Sequence, residues 1–401
     1  MSNSPAMRRL GFSILALIAS FQFSPAGSAD LRKFPDRLNT FGFSLVQQLE
    51  SAGHRNLLIS PASIEIALGM VYAGANGQTA EAMSRVLGID SSSRELALKE
   101  LAGFRETLEN PGKDVTLKVA NAAWIDDSMR LNQKFSADLE DTFKTKLVTV
   151  HFDDPTTISR INDWVSDATE GKIDRLLENP PSPPMFLANA VYFHAAWSSP
   201  FPKQSTQEQP FYPADGSNRT VQMMRQKGLF RYAKTKGYSA VALPYVDLRF
   251  AMYCFLPDPE KGVDAVLEEL KKSSWSDVSG SLRPAEGSVA LPKFKFDYGV
   301  SLNQPLSKLG MGIAFDGQRA QFDRMIDGPR RLFIGGVLHK TFVEADEAGT
   351  TAAAVTGIQM RATAMLRPNE EFNLVFDHPF VTAIVDATSG VILFLGIVGE
   401  P

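Results

Sequence analysis

Apolar positions along the chain follow two spacings, and these divide most of it into helices and strands. From Asp30 to Leu49 they return every three or four residues, so Leu38, Phe41, Leu45 and Leu49 share one side of an expected helix. Ser60 is a natural amino-terminal cap with Pro61 behind it, and the apolar run Ile64–Tyr72 continues that helix until Gly74 and Gly77 break it. Thr79 opens another helix with Glu81 and Met83. Helical spacing also predicts elements over Phe135–Phe143, Ile158–Leu177, Lys261–Lys272 and Leu302–Leu309, the last closed by Gly310. Strands are expected over Val115–Ile125, Leu147–Phe152, Ser288–Tyr298 and Leu332–Val343, with two more around Pro244-Tyr245 within Tyr238–Leu256. Met185–Phe193 is apolar on both faces, the mark of a central strand, and Asn189 is its polar exception. A buried amide needs partners.

Composition narrows the class. The first 29 residues read as a secretory leader: Arg8 and Arg9, the apolar run Leu10–Phe23, then small residues Gly27-Ser28-Ala29 before Asp30. Export implies a secreted product, or a periplasmic one in a Gram-negative host, with no membrane span left after cleavage. No linker, repeat or charge block divides residues 30–401, which are therefore read as one mixed α+β domain; the Pro-rich Asn179–Pro184 is a turn. A net charge of −4 gives no electrostatic case for nucleic acid. The single cysteine, Cys254, sits in an apolar run and reads as a buried thiol, so stability must come from packing. Hydrolase and cofactor signatures are missing. There is no G-x-S-x-G elbow and no H-E-x-x-H, and the five histidines (His54, His151, His194, His339, His378) are scattered. No catalytic, metal or cofactor site is therefore assigned.

One stretch resists both spacings. Val343–Phe380 contains Gly349-Thr350-Thr351-Ala352-Ala353-Ala354-Val355-Thr356-Gly357, all small, uncharged or β-branched. Its threonines, valine and glycines oppose a long helix. As a strand it would place Thr350, Ala352, Ala354 and Thr356 on one face and Thr351, Ala353 and Val355 on the other. Such a segment could be exposed at one time and buried in a sheet at another. Composition alone fits a flexible Ala/Thr linker equally well.

A family resemblance separates the two. EADEAGTTAAAVTG resembles the hinge of the reactive centre loop of inhibitory serpins, and EFNLVFDHPFVTAIVDATSGVILFLGIVGEP resembles their closing strands. Asn56, Ser60, Pro61, Ser63, Ala67, Leu68, Gly74, Gly77 and Thr79 match the serpin pattern, as do Asn162, Trp164, Thr169 and Gly171. The likeness spans nearly the whole mature chain. It implies three β-sheets, eight or nine helices and an exposed reactive centre loop over about residues 345–371.

The resemblance also assigns roles. Glu347, Gly349, Thr350, Thr351 and Ala352, Ala353 and Ala354 would form the hinge. Ser60, Ser63, Asn189 and His339 would form a polar cluster where the main sheet parts, and Trp197 would mark the top, where insertion begins. Family spacing puts the scissile bond between Thr363 and Ala364, with Arg361 as the alternative bait. The implied activity is inhibition of a serine protease as a suicide substrate, by a monomer without a cofactor. A small β-branched bait suits an elastase-like or subtilisin-like target, Arg361 a trypsin-like one, and a cysteine protease is the lesser expectation. A non-inhibitory carrier, chaperone or storage serpin is the alternative. Family members often carry glutamate where Thr351 stands.

Overall fold

The apolar Met185–Phe193 run becomes the middle of a five-stranded sheet. The computed structural model describes residues 33–50, 56–145, 147–349 and 371–401. The expected leader, Thr350 to Ala354, Arg361, Thr363 and Ala364 all lie outside the described residues. The sheet's strands, in chain order, are β1 (Val115–Asp126), β2 (Leu147–Val150), β3 (Met185–Ala195), β4 (Phe294–Ser301) and β5 (Ile334–Ala345). Their spatial order is β4-β5-β3-β1-β2. Ten of the eleven residues of β3 are buried, because both faces of the sheet are covered. On one face Val191 and Phe193 pack with Met252, Phe250 and Phe380 of a nine-stranded sheet. On the other, Ala188 and Ala190 meet Ile161 and Val165 of the helix Thr156–Ala168. Phe193 anchors an aromatic cluster with Tyr245, Phe250 and Phe394 at centroid distances of 5.1, 5.8 and 5.9 Å. Each such buried ring contributes about 1.5–3 kcal/mol.

With a two-stranded pair (Arg130–Leu131 and Ile326–Asp327) there are three sheets, and nine α-helices surround them among the described residues. This is the expected α+β serpin-type architecture. The helix Pro61–Tyr72 starts at Ser60, whose side chain accepts from the Ser63 N–H, and all twelve of its residues are buried. Cys254 is fully buried, and burial pushes its thiol up to about 12 against the opposing effect of Thr382.

Two expectations need correction. Ser288–Tyr298 is not one strand: Arg283–Pro292 belongs to the nine-stranded sheet and β4 to the five-stranded one, with the chain crossing between them at Lys293. The helix expected over Ile158–Leu177 stops at Ala168. The Thr169 hydroxyl donates to the Val165 carbonyl and accepts from the Ile173 N–H, and Glu170 and Gly171 take φ of 54° and 69°. Ile173, Leu176 and Leu177 still pack under that helix, so their apolar spacing imitates its continuation.

Candidate functional site

Three polar residues form a row across the five-stranded sheet. Asn121 of β1 is the register partner of Asn189 on β3, and Asn189 is that of His339 on β5. The helix Pro61–Tyr72 brings Ser60 and Ser63 onto this row. The Ser60 N–H donates to His339 Nε2 at 3.0 Å, so Nδ1 carries the proton and donates to Asn189 Oδ1. Asn189 Nδ2 in turn donates to Ser63 Oγ and Asn121 Oδ1, which uses its whole amide. His339 is wholly buried, and burial pulls its pKa down to about 3, so the ring is neutral. Thr341, two residues along β5, donates to the Leu58 carbonyl at 2.8 Å. The expected cluster of Ser60, Ser63, Asn189 and His339 is thus brought together. Asn121, which sequence reasoning missed, completes it; its one signal is a polar residue inside the strand LKVANAAWI.

β3 and β5 run parallel and pair from Ile334↔Met185 to Phe342↔Tyr192. Above that level they do not pair, although β5 pairs with β4 up to Ala345 and β3 with β1 up to Ala195. The seam is therefore parted at its upper end. The chain leaving β5 turns there through Asp346, whose carboxylate accepts from the Ala348 and Gly349 N–H groups at 2.9 and 3.1 Å. Gly349 then makes an antiparallel bridge with Ala196, just past the end of β3. Its φ is +144°, and a Cβ would stand 2.4 Å from the Ala195 carbonyl oxygen and 2.5 Å from the Ala196 Cα, so only glycine fits.

Trp197 holds this turn. Its Nε1–H donates to the Asp346 carbonyl and its backbone N–H to the Ala348 carbonyl, each at 2.9 Å, and its ring stacks on Tyr245 at 4.6 Å. Glu347 is buried beside it. Its carbonyl accepts from the Phe201 N–H, and its carboxylate accepts from Thr206 Oγ1 at 2.8 Å and pairs with Lys293 Nζ at 2.7 Å. Burial works against the charged form of Glu347, but the Lys293 and Thr206 hydrogen bonds outweigh it and hold the carboxyl below its ordinary value. Lys293 and Thr206 come from distant elements, and no local pattern ties them to Glu347. No group of three or more His, Cys, Asp or Glu residues among the described ones could hold a metal ion.

Known proteins share this fold. The family model described as "Serpin (serine protease inhibitor)" matches residues 36–401. Iripin-8 of Ixodes ricinus is 33% identical over 402 residues, covering 97% of this chain and 99% of its own. The leukocyte elastase inhibitor of Homo sapiens is 33% identical over 360 residues, 86% of this chain and 93% of its own. Among solved structures, the thermophilic serpin tengpin in its native state superposes with a TM-score of 0.82 at 29% identity, over 92% of this chain and 94% of that one. Arabidopsis AtSerpin1 in its native stressed conformation gives 0.83 at 27% identity, over 94% and 100%. With a match over nearly its entire length and the polar row and the Trp197 turn in place, this chain belongs to the serpin family of serine protease inhibitors.

Proposed function

We propose that this chain inhibits a serine protease as a suicide substrate. The target's serine attacks the Thr363 carbonyl, the bond to Ala364 breaks, and an acyl-enzyme forms as with any substrate. Cleavage frees the hinge, which runs down between β5 and β3 as a new strand antiparallel to both. A strand matching the 11 residues of β3 spans roughly 36 Å at about 3.3 Å per residue. The tethered protease travels with it and is distorted before water releases the acyl group, so the trap is kinetic.

One observation carries this reading: the β3–β5 seam is unpaired at its top while its neighbours are paired to the same height, and Gly349 already makes the first antiparallel rung against Ala196. The small, uncharged sequence Thr350–Ala354 can follow without burying a charge. Thr363 and the relatives named leukocyte elastase inhibitor favour an elastase-like target, with a subtilisin-like enzyme next. Arg361 as bait would direct the loop to a trypsin-like one. The protein acts as an exported monomer, its leader removed after Ala29.

The test mixes the mature protein separately with elastase, subtilisin and trypsin, followed by denaturing gels and mass spectrometry. A detergent-resistant band at the summed mass, with a released peptide starting at Ala364, is expected. A peptide starting at Ala362 would move the bait to Arg361. Cleavage by all three enzymes without such a band would instead favour a carrier, chaperone or storage role.

A further inference from the structure

A groove behind the Trp197 turn has the features of a small-molecule site. It encloses about 420 Å³, within the range of roughly 300–1,000 Å³ usual for such sites. Its walls are the outer face of the nine-stranded sheet, from Pro244, Ala251 and Tyr253, and the two leucines Leu229 and Leu248. These leucines are each 55% exposed and are two of the four large hydrophobic residues exposed among the described ones. Leaving both in water is unfavourable, and a ligand bridging them would remove that apolar surface.

The polar lining has one sign. Lys227 and Arg231 line the groove, and none of its lining residues is acidic, although the chain is net negative. Arg231 donates one N–H to the Ser279 carbonyl, and Lys227 has no ion-pair partner among the described residues. Gln226, only 8% exposed, also lines the groove, where its side-chain amide can donate to a ligand oxygen.

We infer that this groove binds a small amphipathic carboxylate, its apolar body between Leu229, Leu248 and Tyr253 and its anionic end at Lys227 and Arg231. The site adjoins the loop base. Trp197, Ser198 and Pro244 form one of its walls; the Ser198 N–H donates to the Pro244 carbonyl at 3.0 Å, and Trp197 holds the Asp346–Gly349 turn. An occupant stiffens that wall and slows release of the hinge. This second effect rests on the proposed inhibitory mechanism; binding itself does not.

The experiment titrates octanoate, octan-1-ol and octylamine into the purified protein by calorimetry, alongside Leu248→Asp and Lys227→Glu, both at exposed positions. Octanoate is expected to bind one site, at least tenfold more tightly than octan-1-ol. Octylamine should not bind, and each variant should weaken octanoate at least tenfold. No octanoate binding, equal affinity for octylamine, or variants within twofold of the parent would overturn the site. Saturating octanoate should also slow covalent complex formation with the target protease in the parent but not in Leu248→Asp. Binding without that slowing would leave the site and overturn the coupling.

Discussion

Strand β3 has two neighbours, and it is joined to them differently. Toward β1 it forms eleven consecutive antiparallel pairs reaching Ala195. Toward β5 it forms eight parallel pairs, with a register shift between Ile334 and Gly336, and these stop at Tyr192. Parallel pairing is slightly weaker per residue. A strand placed between parallel neighbours also runs antiparallel to both, so opening this seam exchanges one ladder for two. Opening the β1 seam would break an antiparallel ladder, and a strand inserted there would be antiparallel to one side and parallel to the other. The polar row carries the same contrast. Asn189–Asn121 spans a seam held along its whole length, whereas Asn189–His339 is a polar side-chain rung on the seam proposed to open.

Four changes separate the two seams. The largest effect is expected from Thr350→Arg, which puts a charge into the segment that enters beside β3 in the proposed mechanism. The variant should be cut normally yet form almost no covalent complex, as read from the ratio of cleaved to complexed inhibitor on gels. Asn189→Leu orphans the buried His339 Nδ1–H and leaves Ser63 Oγ and Asn121 Oδ1 only their mutual contact at 3.5 Å. At about 1–3 kcal/mol for an orphaned buried group, urea denaturation should report a loss of at least that size.

The third change is in pH. An unfolded histidine titrates near 6.5, but His339 only near 3 because it is buried. The unfolded chain therefore binds the extra proton between those values. The contribution is fully present above pH 6.5 and is lost as pH falls toward 3, by up to about 1.4 kcal/mol per pH unit. Urea melts of the parent and His339→Gln between pH 7 and 5 should show a shallower slope in the variant. The smallest effect belongs to Gly349→Ala, whose Cβ would strike backbone atoms at the end of β3. It should destabilise the docked turn by about 1–2 kcal/mol, seen as faster amide exchange at Trp197 and Phe201 with global stability little changed.

Much of this was legible in the chain. The apolar faces of Met185–Phe193 marked the central strand, and Ser60-Pro61 marked the start of the buried helix. Ser60 serves as both helix cap and member of the polar row. What could not be read depended on register or on chain crossings. Asn121 joins the row only once β1 is aligned with β3. Lys293 looked like one more polar position in an alternating strand, yet there the chain changes sheets and its ammonium reaches Glu347. The false helical extension past Ala168 had the same origin, since Ile173, Leu176 and Leu177 bury themselves without a helix.

The most direct test locks each seam in turn with a disulfide. Ala190→Cys with Lys340→Cys joins register partners across β3 and β5, and Ala120→Cys with Ala190→Cys joins them across β1 and β3. If the sheet opens between β3 and β5, the oxidised first pair should abolish covalent trapping while leaving loop cleavage intact, and reduction should restore trapping. The second pair should trap the protease in either redox state. Full trapping with the β3–β5 disulfide closed would contradict insertion at this seam.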